Sequence, residues 1–199
     1  MELGCFARRC EMAVRVICPP AEVERAEAMV VSGHGDAIFS SRGERMEEVR
    51  VKRLLERKET LALAESCTGG LLAHRITNVP GASDVFLVGY VPYANAAKTT
   101  ALGIEGALIE QNVAVSKAVA RALAEGARER AKSTHALATT GIAGPGGGTV
   151  EKPVGTVYVA LASTGAATLV RRFDFASDRE TFKQLTAQAA FNLLRLRLL

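Results

Sequence analysis

The hydrophobic pattern alternates between short, unbroken apolar runs and stretches with helical spacing. Leu61 to Ala64 is an apolar run of strand length, which predicts a buried strand. Thr68-Gly69-Gly70 breaks it, and Leu71, Leu72 and Ile76 follow at helical spacing. A strand, a turn and a helix are predicted in that order, the helix ending near Val79-Pro80-Gly81. Val85 to Tyr93 is apolar with β-branched and aromatic members and predicts a second strand. Ala96 to Leu102 and Gly106 to Gln111 predict short helices, and Ser116 caps a long one with Val119, Leu123 and Ala127 on one face. His135 to Thr140 predicts a third strand. Val154 to Ser163 and Ala167 to Phe175 predict a hairpin turning at Thr164-Gly165. Asp178 then starts a last helix carrying Phe182, Leu185, Ala189 and Leu193.

Upstream, Arg45 to Arg57 predicts an amphipathic helix with Met46, Val49, Leu54 and Leu55 toward the core. Met12 to Cys18 predicts one strand, stopped by Pro19-Pro20; Ala21 to Val30 has helical character, and Ser32 to Ser41 is turn-rich. One strand and one helix cannot close a core. Residues 1–44 therefore read as a remnant or linker, and residues 45–199 as the main domain. Helices that alternate with strands early, and a hairpin late, predict a three-layer α/β/α sandwich with a mixed sheet.

Composition narrows the classes. The chain has 199 residues, 48% of them apolar, enough for a real core. The net charge of +4 lies beyond residue 60, since residues 1–60 hold 11 basic and 11 acidic side chains. That bias suits a small anionic ligand, and no basic run supports direct nucleic-acid binding. Of Cys5, Cys10, Cys18 and Cys67, the first three are spaced C-x4-C-x7-C, with no Cys-x-x-Cys pair and no nearby His, so no metal site is expected. Arg8, Arg9, Glu11 and Arg15 interrupt any secretory apolar core, and no stretch is long enough to span a membrane. A cytoplasmic location with no membrane partner is the expectation, and a homo-oligomer is left open.

Polar clusters recur at the C-terminal ends of the predicted strands, where open α/β sheets bind ligands. They are Ser66-Cys67-Thr68, Tyr93-Ala94-Asn95 with Lys98, Thr140-Gly141, and Ser177-Asp178-Arg179. Gly69 and Gly70 lack Cβ, so a substrate can approach the backbone closely there. Each cluster also has a plain reading: Thr68 or Ser66 caps a helix, Tyr93 and Asn95 cap another, Lys98 is solvated, and Arg179 pairs with Asp178 or Glu180.

Taken together, five ordered motifs resemble the CinA C-terminal domain family, which comprises nicotinamide-nucleotide amidases and the C-terminal half of competence/damage-inducible protein CinA. The motifs are Ala64-Glu65-Ser66-Cys67-Thr68-Gly69-Gly70, Tyr93-x-Asn95-x-x-Lys98, Thr140-Gly141-Ile142-Ala143-Gly144-Pro145, Glu151-Lys152-Pro153-Val154-Gly155-Thr156-Val157, and Asp178-Arg179. The resemblance covers about residues 45–199; residues 12–44 look like the tail of the middle domain of longer members. Ala94 and Ala96 stand where the family usually has Ser and Glu, Ser177 where it has Gly, and Lys183 where it often has a second Arg.

The resemblance implies a three-layer sandwich and hydrolysis of nicotinamide mononucleotide to nicotinic acid mononucleotide and ammonia, without a cofactor. It implies a serine nucleophile at Ser66 with Lys98 as its proton acceptor. Substrate contacts are then expected from Thr68, Gly69, Gly70, Tyr93, Asn95, Thr140, Gly141, Gly144 and Arg179. Amides near Thr68 to Gly70 are the expected oxyanion donors, and the glycines from 141 to 148 with Arg179 the expected phosphate grip. Lys98 must lose its proton near neutral pH, which requires burial or a neighbouring positive charge. Three alternatives stand beside this: Cys67 as nucleophile, a nucleotide-binding module without catalysis, and a protein-interaction domain.

Overall fold

The apolar runs become the middle of one sheet. In the computed structural model, which describes residues 1–8 and 10–199, β3 (Leu61–Glu65) pairs in parallel with β4 (Phe86–Tyr90) on one side and β5 (His135–Gly141) on the other. β5 then pairs antiparallel with β6 (Thr156–Ser163), and β6 antiparallel with β7 (Ala166–Asp174). The order is β4-β3-β5-β6-β7, a mixed five-stranded sheet. All five β3 residues are buried, as expected for a strand covered on both faces.

The two faces of the sheet differ in side-chain size. Leu61, Leu63, Leu137, Val157, Val159 and Leu161 face α2 (Met46–Arg57), α3 (Leu71–Thr77) and α7 (Arg179–Arg197). Ala62, Ala64, Ala136, Ala138, Ala160 and Ala162 face α4 (Asn95–Leu102), α5 (Gly106–Asn112) and α6 (Lys117–Ala131). Alanine on that face lets α6 lie close, and Val119, Leu123 and Ala127 fill the gap. Burying a leucine such as Leu123 contributes roughly 1.5–3 kcal/mol. The result is the three-layer α/β/α sandwich with a mixed sheet. Ser116 caps α6 by accepting from Val119 N at 3.2 Å, and Asp178 caps α7 through Glu180 N and Thr181 N. Among the described residues no helix is long and apolar enough to cross a membrane.

Several expectations are corrected. A second N-terminal strand, β1 (Glu2–Arg8), pairs antiparallel with β2 (Glu11–Ile17), so the upstream unit has a ribbon where one strand was predicted. The following helix, α1 (Val23–His34), runs past Val30 until Gly35 takes a positive φ of 44°. In α2 the buried side chains are Met46, Glu47, Arg50, Val51 and Leu54, whereas Leu55 is exposed. Polar residues enter that face because Glu47 is paired: its Oε2 accepts from Arg75 at 2.7 Å. α3 ends at Thr77, earlier than Pro80, and β4 ends at Tyr90, leaving Tyr93 in the loop before α4. The upstream unit touches the rest through Glu11, whose Oε1 accepts from Met46 N at 3.3 Å and Gln188 Nε2 at 3.1 Å. Arg195 donates to the Asp36 carbonyl, and Phe39 packs on the core.

Candidate active site

Strand parity sorts the residues of the turn after β3. Ala62 and Ala64 face α4 and α6, and the same alternation sends Ser66 to that side. Cys67 joins the opposite cluster, with Leu63 and Leu72. Burial, with the nearby Glu65 carboxylate adding to it, pushes the Cys67 thiol up to about 12, against opposing hydrogen bonds from Thr139 and from the Cys67 and Thr68 amides. A thiol with that pKa is a poor nucleophile at neutral pH, because the thiolate is the reactive form. Ser66 is left as the hydroxyl on the α4 side of the turn.

Lys98 sits on α4 and is 2% exposed. Its ammonium donates to Tyr93 O at 3.0 Å and to Asn95 Oδ1 at 3.3 Å. Both acceptors are neutral. Burial therefore lowers the Lys98 pKa, and Cys67 acts weakly in the other direction, which also places Lys98 within electrostatic reach of the Ser66-Cys67 turn. An amine buried in this way is more easily neutral than a solvated one.

The loops around Lys98 are tied together by Arg179, the first residue of α7. Its Nη1 donates to Gly144 O at 2.9 Å and its Nη2 to Tyr93 Oη at 2.8 Å. Tyr93, Asn95, Lys98, Gly144 and Arg179 thus form one connected group. Its partners lie outside the neighbouring acids, so the local pairing with Asp178 or Glu180 does not describe Arg179. Tyr93 is 58% exposed and stands at the rim. Gly144 needs its positive φ of 75°, and a Cβ there would also fall 2.5 Å from Val154 Cγ1. At Gly141 a Cβ would meet Thr156 O at 2.8 Å, so close packing of β5 on β6 explains this glycine. Thr140 lies to the side, its Oγ1 donating to Ala114 O at 2.9 Å.

Beneath the turn the structure supplies two residues that the sequence pattern left without a role. Thr139 Oγ1 lies 2.8 Å from Thr68 Oγ1, and both are fully buried. Glu65, 1% exposed, accepts from Gly70 N at 3.1 Å, Leu72 N at 3.0 Å and Ala73 N at 2.8 Å. This carboxylate caps α3 from the end of the preceding strand, across the turn. The expected oxyanion donors change accordingly. Gly70 N is taken by Glu65, and Gly69 N by Ser66 O at 3.2 Å, so among the described residues Thr68 is the one of these three whose amide has no oxygen acceptor. The signal for Glu65 was an acid at the inner end of an apolar strand, a placement that requires partners. Among the described residues no group of three or more His, Cys, Asp or Glu side chains is placed to hold a metal ion.

Comparison with known proteins places the chain in a family. The family model for the CinA C-terminal domain matches residues 43–198. A CinA-like protein of Anaeromyxobacter sp. (strain Fw109-5) is 52% identical over 178 residues, covering 89% of this chain and 43% of the relative. A CinA-like protein of Geotalea daltonii is 50% identical over 165 residues, covering 83% and 40%. The chain thus spans less than half the length of these curated relatives. Among solved structures, the competence/damage inducible protein CihA of Agrobacterium tumefaciens matches with a TM-score of 0.72 at 34% identity, over 78% of this chain and 96% of that one. A CinA superfamily protein of Escherichia coli matches with a TM-score of 0.72 at 32% identity, over 81% and 97%. By its sequence and its fold alike, the chain belongs to the CinA C-terminal domain family.

Proposed function

We propose that this domain hydrolyses the carboxamide of nicotinamide mononucleotide, giving nicotinic acid mononucleotide and ammonia. The observation that carries the reading is Lys98: a buried amine with neutral acceptors and a lowered pKa, on the helix that faces the Ser66 side of the turn. Ser66 Oγ attacks the amide carbon as neutral Lys98 takes its proton. Lys98 returns that proton to the nitrogen as the C–N bond breaks, and ammonia leaves. Water, deprotonated by the same amine, then cleaves the acyl-serine and regenerates the hydroxyl. The pyridinium of the substrate adds a positive charge, which favours neutral Lys98 and makes the amide carbon more electrophilic. Arg179, with the glycine loop it holds, is assigned to the 5′-phosphate.

The test is ammonia release from nicotinamide mononucleotide, with nicotinamide and its riboside as comparisons. Ser66→Ala should abolish release and leave nucleotide binding largely intact, whereas Cys67→Ala should keep most activity. The reverse pattern moves the nucleophile to Cys67. Tight nucleotide binding without ammonia release favours a binding module and removes the amidase reading.

A further inference from the structure

We infer that Glu65 is the positioning residue that builds the oxyanion site, by engaging the first turn of α3 and leaving the Cys67 and Thr68 amides as its donors. This rests on the amidase reading with Ser66 as nucleophile. It is carried by the amides from Ser66 to Ala73. Ser66 N donates to Thr139 O, Gly69 N to Ser66 O, and Leu71 N to Thr68 O. Gly70, Leu72 and Ala73 donate to Glu65. Among the described residues, the Cys67 and Thr68 amides have no oxygen acceptor; they lean on the Cys67 sulfur, a weak one. They directly follow the nucleophile, where negative charge develops on the oxygen of the attacked carbonyl.

Glu65 satisfies three amides at the start of α3 that would otherwise lack an acceptor. Both carboxylate oxygens are committed across the turn, so the β3 end and the first turn of α3 cannot move apart. Thr68 is fixed from the other side by its 2.8 Å contact with Thr139. The two remaining donors therefore have a fixed direction before substrate arrives, which is the condition for stabilising a transition state rather than a ground state.

Glu65→Gln tests this. The glutamine amide keeps one acceptor oxygen but turns an NH2 toward a backbone N–H, so the turn loosens locally. At a temperature well below both melting transitions, kcat for nicotinamide mononucleotide should fall by roughly 10- to 100-fold, with KM within about threefold. A merely structural role would lower stability without that split. Pyridine-3-boronic acid, which forms a tetrahedral adduct with a serine hydroxyl, supplies a second readout. Its affinity should weaken by about the same factor as kcat/KM, while that of the product, nicotinic acid mononucleotide, stays the same. An unchanged kcat in folded Glu65→Gln overturns the inference, as does equal weakening of boronate and product. If Glu65→Gln does not fold, Glu65→Asp carries the test: its carboxylate is shorter, keeps its charge, and should give the same kcat loss in a smaller degree. Failure of the amidase reading looks different, since wild-type protein would then release no ammonia, and the inference would fall with it.

Discussion

Replacing Lys98 with methionine should stabilise the protein while abolishing turnover. The side chain is 2% exposed, and its ammonium meets two neutral oxygens, Tyr93 O at 3.0 Å and Asn95 Oδ1 at 3.3 Å. Methionine keeps the length and the apolar stem. Removing the charge forfeits two charge-assisted hydrogen bonds, each worth about 1.5–3 kcal/mol. Against this stands relief of the desolvation penalty of a buried ion, several kcal/mol in effect. The two terms are of similar size, and the lowered pKa of Lys98, which marks the folded state as a poorer host for the ammonium than water, tips the balance toward the variant, read as a rise in Tm. The pH dependence is the sharper readout. Burial puts the folded pKa of Lys98 below its ordinary 10.5, so between the two values the unfolded chain binds a proton that the folded one has released. Wild-type stability therefore rises with pH across that window. The Tm advantage of Lys98→Met should be widest below the folded pKa and should close as the pH approaches 10.5. Calorimetry at steps from about pH 6 to about pH 10 measures it. A variant that melts lower than wild type, or a gap that is constant with pH, would show that the ammonium is well solvated and refute the reasoning.

Two more outcomes are expected. Arg179→Ala should raise KM for nicotinamide mononucleotide by roughly 10- to 100-fold, the loss of one charged contact, and barely change the reaction of the phosphate-free riboside; equal effects on both substrates would assign Arg179 to loop order through Tyr93 and Gly144 alone. Residues 45–199 expressed without the upstream unit should melt in one cooperative transition and keep Ser66-dependent ammonia release, at a lower Tm because Phe39 and the Glu11 contact to Met46 N are gone; the solved relative from Agrobacterium tumefaciens is matched over 96% of its length by 78% of this chain, and calorimetry with the ammonia assay on the shortened protein checks the point.

Elements whose pattern is set by their own burial were legible in the sequence. β3, β5 and β6 are buried along nearly their whole length because helices cover both faces of the sheet, and Ser116 and Asp178 announce the helices they cap. What was not legible depends on a distant partner. The core face of α2 was misassigned because Glu47 is buried against Arg75, a residue 28 positions away. Strand β1 was missed because Leu3 and Phe6 are exposed and Gly4 interrupts the run, so no alternation marks it. Lys98 follows the same rule: lysine is exposed by default, and only packing in the layer of α4 makes this one buried. The motif around Ser66 could be quoted in full, yet which amides stay free depends on where the Glu65 side chain turns, and that is decided by tertiary structure.

Two buried ionisable groups of this site, Glu65 and Lys98, are handled in opposite ways, and the difference suits the work proposed for each. Glu65 lies beneath the turn with three backbone N–H groups on its carboxylate, so its acceptor capacity is used and the group is held in place. Lys98 has only two neutral oxygens for a buried ammonium, and burial favours its uncharged form. A group held by several backbone donors fixes geometry; a group left short of partners can give up and regain a proton at modest cost. Exchanging the two environments would leave the turn loose and the lysine permanently charged, with neither a fixed nucleophile nor a base. Keeping Lys98 under-partnered costs stability, which is why removing the ammonium should raise Tm at the same position where, on the proposed mechanism, it ends turnover.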